Sequence, residues 1–212
     1  MTDEVRDAYD ARAADYTAFV VGALDRVPGD KESLAVFAER VDCDGCVVAD
    51  LGCGPGYVVD HLRGLGVQAV GYDISAALIA EARRAVPDAD FHVGDLGALD
   101  VADASLGGIV ARYSLIHTLP SMLGGIFDEW MRALEPGAPV LVSFFASSSP
   151  EAHGTPFDHA VVTAYELCPA SVARQLGDAG FIDVDVLVRD PRDGERPLQH
   201  ATIHAAKSVG PA

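Results

Sequence analysis

Three aspartates, Asp50, Asp73 and Asp95, each stand at or near the end of a short apolar run. A carboxylate placed there accepts hydrogen bonds from hydroxyls or amines and offsets a nearby cation. Asp50 belongs to the run 47–51, which leads into Gly52-Cys53-Gly54-Pro55-Gly56. Glycine in such a turn permits positive φ and lets a ligand approach bare backbone. A dinucleotide turn has the spacing G-x-G-x-x-G and seats a pyrophosphate on the helix that follows. Here the spacing is G-x-G-x-G, and Pro55 removes one N–H donor. Asp50 would also face a diphosphate unfavourably. Both features suit a ligand with a cationic amine better than a diphosphate. Asp73 comes 23 positions after Asp50. An acid at that point of a Rossmann-like sheet accepts from both hydroxyls of a ribose, and Ile74 beside it is expected to pack on the base.

His117 is the residue placed to move a proton. It follows the apolar run 106–112 by a few residues, in Ser114-Leu115-Ile116-His117-Thr118. In a parallel sheet this is the C-terminal rim, where ligands sit. An imidazole titrates near pH 6.5 when unperturbed, so it can take a proton from a hydroxyl or an amine. The alternative is a histidine bonded to loop backbone, and the residues leave both readings open. Other candidate clusters carry less. His153, Asp158 and His159 sit in a loop at a spacing that fits no ligand pair on a helix face. Cys43-Asp44-Gly45-Cys46 has no second pair at zinc-finger spacing. No metal is expected, and the cysteine pair reads as a turn. His200 and His204 share one face of the last strand and are expected to be exposed.

The elements that must position these residues alternate. Helical spacing covers 3–24 and 30–41, with Pro28-Gly29 as the break between them. Strands are expected at 47–51, 67–72, 89–93, 106–112 and 139–145. Helices are expected at 58–65, 76–86 with Ser75 as its cap, 122–134 and 170–179. A loop occupies 146–163. Two last strands, 181–188 and 199–206, flank a Pro-Arg-Asp-Gly turn and should pair antiparallel. This is an α/β fold: a Rossmann-like, doubly wound seven-stranded sheet, mostly parallel, with an antiparallel C-terminal hairpin. One domain is expected over 1–212, with 1–42 as an N-terminal helical cap on a core at 43–207.

The motif Asp50-Leu51-Gly52-Cys53-Gly54-Pro55-Gly56 resembles the first motif of class I S-adenosylmethionine (SAM)-dependent methyltransferases, and the resemblance extends over about 8–207. It implies SAM as cofactor, held by Asp50, Gly52, Cys53, Gly54 and Gly56 of the turn and by Asp73 and Ile74. It also implies that Asp95 meets the adenine amino group and that the Leu96 backbone touches the ring. The carbonyl near Ala111 would accept from the SAM amine, with Arg112 and Ile116 in the same rim. A structural ion pair is the other reading of Arg112. Tyr9, Arg12 and Tyr16 share a helix face. They resemble the N-terminal helix that covers the SAM site in small-molecule methyltransferases, where Arg12 or Tyr16 would bond the cofactor carboxylate. Tyr9, Arg12, Tyr113 and Phe145 are the candidate substrate contacts, and His117 is the candidate base. No Asn-Pro-Pro-Tyr sequence follows the fourth strand, which argues against the amide and base-amine methylators that carry it.

Composition sets the outer bounds. Half the residues are apolar, which suits a globular chain with a full core. Fifteen Lys and Arg against 32 Asp and Glu give a net charge of −17. Such a surface repels phosphate backbones and anionic lipids. The expected partner is a small molecule, with neither nucleic acid nor membrane, and the expected location is cytoplasmic. Oligomeric state is not readable. The expected function is SAM-dependent methyl transfer to a small acceptor. Two rivals remain: an NAD(P)-dependent oxidoreductase and a SAM-binding module without catalysis. Against the first, lysine occurs only at Lys31 and Lys207, so no Tyr-x-x-x-Lys pair exists.

Overall fold

The computed structural model describes residues 3–43 and 45–210. Met1, Thr2, Asp44, Pro211 and Ala212 lie outside the described residues, and with them both ends of the expected 1–212 domain. The chain opens with α1 (Asp3–Val20), α2 (Ala23–Arg26) and α3 (Pro28–Glu39). Then come β1 (Val47–Leu51), α4 (Tyr57–Gly64), β2 (Gln68–Asp73), α5 (Ala76–Ala85), β3 (Asp90–Val93) and β4 (Leu106–Arg112). They are followed by α6 (Leu123–Ala133), β5 (Pro139–Ala146), β6 (Pro156–Phe157), β7 (Ala164–Tyr165) and α7 (Pro169–Ala179). The last strands are β8 (Phe181–Arg189) and β9 (Gln199–Lys207).

Seven strands form one sheet in the order β3-β2-β1-β4-β5-β9-β8. The pairs from β3 to β5 are parallel, and β9 runs antiparallel to both β5 and β8. The chain passes from β1 outward to β3 and then returns to β4 on the other side of β1. The crevice for a ligand therefore opens at the C-terminal ends of β1 and β4. β1 and β4 are buried on both faces, as their mostly apolar sequences, broken only by Asp50 and Arg112, suit. One face packs Ile126, Phe127 and Trp130 of α6 and Val172 and Leu176 of α7. The Trp130 indole donates to the Leu96 carbonyl (2.8 Å), which ties α6 to the loop after β3. The other face packs Leu34 and Phe37 of α3, Val59 and Leu62 of α4 and Ile79 of α5.

Three local expectations are corrected. Pro28 opens α3 in its first turn rather than breaking a helix, because the N–H it lacks would have no partner there. The 146–163 loop contains β6, which pairs with β7 in a small separate sheet. His200 and His204 share a face but are buried, each about 8% exposed. The reason is strand order: β9 lies inside the sheet between β5 and β8, and β8 takes the edge. Cys43 and Cys46 are joined as a disulfide in the turn before β1. Among the described residues, no helix is long and apolar enough to cross a membrane.

Candidate active site

Gly52 and Gly54 turn the chain sharply at the end of β1, with φ of 74° and 53°. A Cβ at Gly52 would lie 2.3 Å from the Ser114 Cβ, so glycine is needed for close approach as well as for conformation. Asp73, at the end of β2, braces this turn. One carboxylate oxygen accepts from Gly54 N and the other from Ser75 N, both at 2.9 Å. Burial pushes the Asp73 carboxyl up to about 6, against the opposing effect of those backbone donors. Each oxygen keeps a lone pair for a ligand hydroxyl.

Helix α1 lies over this crevice. Asp10 accepts from Ser75 Oγ (2.6 Å) and Ala77 N (3.0 Å), so a carboxylate of α1 sits on the positive first turn of α5. The same docking brings Tyr9 and Tyr16, edge to face with centroids 5.2 Å apart, against the glycine turn. The resulting donor cleft is lined by Tyr9, Tyr16, Gly52, Gly54, Asp73, Ile74, Leu78, Gly94, Leu96, Arg112, Tyr113, Ser114 and His117. It holds about 40 Å³, room for a few waters and far below the several hundred that a nucleoside-sized ligand needs. α1 must therefore shift for such a ligand to enter. Its buried residues are Val5, Ala13 and Val20, too few to carry the core. Deleting residues 1–22 is expected to leave a chain that still unfolds cooperatively in urea but binds the cofactor more than tenfold more weakly by calorimetry. Loss of the cooperative transition would make α1 core packing instead.

His117 stands where the donor cleft meets a second one. Its Nδ1 lies 2.9 Å from the Thr163 carbonyl, which can only accept, so Nδ1 carries the proton. Nε2 is then a bare acceptor and receives the Tyr9 hydroxyl at 2.9 Å. Burial lowers the His117 pKa from its ordinary value, partly offset by the bond to Thr163. The His159 ring packs edge-on at 5.2 Å and is itself pushed down to about 4 by burial, with His117 and Arg196 adding to the shift. Both imidazoles are neutral at pH 7. The second cleft holds about 600 Å³, and Asp95, Gly97, His117, Leu119, Met122 and Ile126 are among its walls.

The structure distributes the sequence candidates as follows. Tyr9, Tyr16, Gly52, Gly54, Asp73, Ile74, Leu96, Arg112, Tyr113 and His117 meet in the donor cleft. Asp95 lines the second cleft and accepts from Gly97 N at 2.8 Å. The others line neither. Cys53 is buried, its sulfur packed beneath Gly71. Gly56 starts α4 and fits closely over the Phe91 ring. Ala111 and Ile116 are core residues. Arg12 donates to the Ala160 carbonyl and so ties α1 to the 146–163 loop. Phe145 packs against Tyr113 and His200 at centroid distances of 5.1 Å. Arg112 lies on the cleft wall and also forms a buried ion pair with Asp30 of α3. Asp50 lies in β1, 1% exposed, and its Oδ2 has no hydrogen-bond partner among the described residues. Burial pushes its carboxyl up to about 7, although Arg112 pulls the other way.

Ser114, Leu78 and a polar chain behind Tyr113 are absent from the sequence-derived set. Tyr113 holds a φ of 53°, costly for an aromatic residue. Its hydroxyl meets His200 Nδ1 at 2.6 Å, and His200 Nε2 lies 3.5 Å from Glu195. Arg189 grips Glu195 through two bonds and holds its carboxyl down at about 2. Register explains the set, because His200 sits opposite Phe145 of β5 on one side and Arg189 of β8 on the other.

Comparison with known proteins agrees with this geometry. A methyltransferase domain family matches residues 48–137, which span β1 to the end of α6. A malonyl-[acyl-carrier protein] O-methyltransferase of Erwinia billingiae is 31% identical over 169 residues, covering 72% of this chain and 65% of that protein. A trans-aconitate 2-methyltransferase of Escherichia coli O157:H7 is 38% identical over 136 residues, covering 56% of this chain and 49% of the relative. The chain thus spans about half to two thirds of these relatives' length. Among solved structures, magnesium protoporphyrin IX methyltransferase of Synechocystis PCC 6803, with bound SAM, superposes with a TM-score of 0.68 at 19% identity, covering 98% and 99% of the two chains. In its sheet order and its glycine turn the chain is similar to the class I SAM-dependent methyltransferases, and its residues 48–137 match a methyltransferase domain family.

Proposed function

We propose that the protein transfers a methyl group from SAM to a small-molecule acceptor. The observation that carries this reading is the junction at His117, where a cleft with nucleoside-type contacts meets a roomier one. The residues fit SAM. The Gly52–Gly54 turn offers bare backbone, Asp73 offers two carboxylate oxygens for ribose hydroxyls, and Ile74 and Leu78 offer apolar cover for a base. Asp50, with its unpartnered buried oxygen below the turn, supplies negative charge for a ligand amine. When bound, SAM supplies an electrophilic methyl group on a sulfonium. The protein's own part is to position the acceptor, to exclude water with α1, and to take up the acceptor's proton at His117 Nε2. In this reading residues 1–42 form a cap on a core at 43–207. The net charge of −17 supports a small acceptor over nucleic acid and suits a cytoplasmic enzyme. The relatives named for malonyl-[acyl-carrier protein] and trans-aconitate put carboxylates among the acceptors to test.

Calorimetry tests the cofactor. SAM and its demethylated product S-adenosylhomocysteine should bind, and NADH should not. NADH binding without SAM binding would return the chain to the oxidoreductases. Asp73→Asn should weaken SAM by about 1–3 kcal/mol, since a neutral amide is a poorer acceptor for two hydroxyls and one of its ends no longer matches the backbone donors. Wild-type affinity in that variant would remove Asp73 from the site.

A further inference from the structure

We propose that the acceptor is an uncharged, largely apolar molecule that presents an acidic hydroxyl, of the phenol or enol class, to His117 from the second cleft. This rests on the methyl-transfer reading above and narrows it. The first ground is the cleft's chemistry. Its walls include Val5, Leu119, Met122, Ile126 and Val162. Among the described residues lining it there is no Lys or Arg, and the charged side chains are those of Glu4 and Asp95. Leu119 and Met122 are about half exposed, and they stand on this concave wall rather than scattered over the surface. From the described residues a carboxylate or phosphate entering here gains no counter-charge, and it loses water. A volume of about 600 Å³ suits a small organic molecule.

The second ground is His117 itself. The Thr163 carbonyl fixes its proton on Nδ1, so Nε2 presents only a lone pair. In the structure a phenol already occupies that lone pair, namely the Tyr9 hydroxyl at 2.9 Å. The geometry at Nε2 is therefore that of a site receiving a phenolic O–H, and an acceptor hydroxyl would take Tyr9's place as α1 shifts. A carboxylate would set lone pair against lone pair. An ammonium group would lose its hydration in an apolar cleft, and its proton is held too tightly for a neutral imidazole to remove. A phenol, with a pKa of about 10, acidifies as its oxygen bonds carbon. In the step, the acceptor oxygen bonds the methyl carbon and the acceptor O–H bond breaks. The proton goes to His117 Nε2, and the electron pair of the broken carbon–sulfur bond stays on sulfur.

The test uses the full chain saturated with S-adenosylhomocysteine and a matched pair of probes, 2-naphthol and 2-naphthoate. Calorimetry at pH 7 should give 2-naphthol at least tenfold tighter binding than 2-naphthoate. Met122→Asp, a change at a half-exposed position, should weaken 2-naphthol at least fivefold and leave S-adenosylhomocysteine affinity unchanged. Tyr9→Phe, which frees Nε2, should bind 2-naphthol as tightly as wild type or more so. With SAM in place of its product, mass spectrometry should find 2-methoxynaphthalene and no methyl naphthoate. Equal or tighter naphthoate binding, methylation of naphthoate, no binding of either probe, or wild-type naphthol affinity in Met122→Asp would each overturn the assignment. Failure of S-adenosylhomocysteine to bind at all would instead sink the methyl-transfer reading.

Discussion

Replacing His117 with asparagine lowers turnover by about 10²- to 10⁴-fold, the range for losing a positioned general base, and leaves SAM affinity within a factor of a few. Asparagine, whose amide nitrogen takes the place of Nδ1, keeps a donor for the Thr163 carbonyl and lacks a basic nitrogen, so the loop stays tied while proton uptake is lost. The pH profile of the wild-type protein carries the same information. His117 acts unprotonated, and burial lowers its pKa below the ordinary 6.5. The acidic limb of turnover should therefore have its midpoint below pH 6.5, with the plateau above it. The variant should lose this acidic limb together with its rate. An inflection above pH 7 in wild type, or full turnover in the variant, would assign the proton to another group. A large drop in SAM affinity with a lower melting temperature would make His117 a structural residue of the 115–118 turn.

The parts of this site legible in the sequence are those fixed by local rules. The run at 106–112 has the bounds of β4, because burial on both faces leaves it apolar up to the closing Arg112. Ser75 caps α5, accepting from Leu78 N at 3.1 Å, as its place before an amphipathic run implies. What escaped depends on distant partners. Asp10 and Ser75 are 65 positions apart, and nothing in either segment announces that one carboxylate serves as a cap for another helix. Alternation along 199–206 correctly placed His200 and His204 on one face, yet their burial depends on β9 being inserted between β5 and β8. Without that strand order the contact of His200 with Tyr113 is not legible in the sequence. Pairs as short as β6 and β7 carry too little pattern to read.

Asp50→Asn is expected to stabilise the protein at pH 8, by about 2 kcal/mol, while weakening SAM binding. Asp50 has an ordinary carboxyl value of 3.8 when unfolded and is pushed to about 7 by complete burial in β1. A raised carboxyl favours the folded state where the group is protonated and penalises it where the group must ionise. The penalty is therefore absent below pH 3.8, grows between 3.8 and about 7, and is complete above that. A shift of this size corresponds to an upper limit of roughly 4 kcal/mol. Asparagine recovers only part of it, because its amide hydrogens need partners in a strand where Oδ2 already has none among the described residues. Urea unfolding of both proteins at pH 8, 6 and 4 should show an advantage for the variant that shrinks steadily and vanishes at the lowest pH. Arg112 opposes the shift and holds Asp30 in a buried pair, so the variant should leave that pair intact and the unfolding transition cooperative. A variant less stable than wild type at pH 8 would show that the Asp50 carboxylate is well satisfied in the folded chain. Unchanged SAM affinity beside a stability gain would mean that the buried charge serves no ligand amine. The expected combination, gain in one and loss in the other, is what a charge kept at a cost for binding produces.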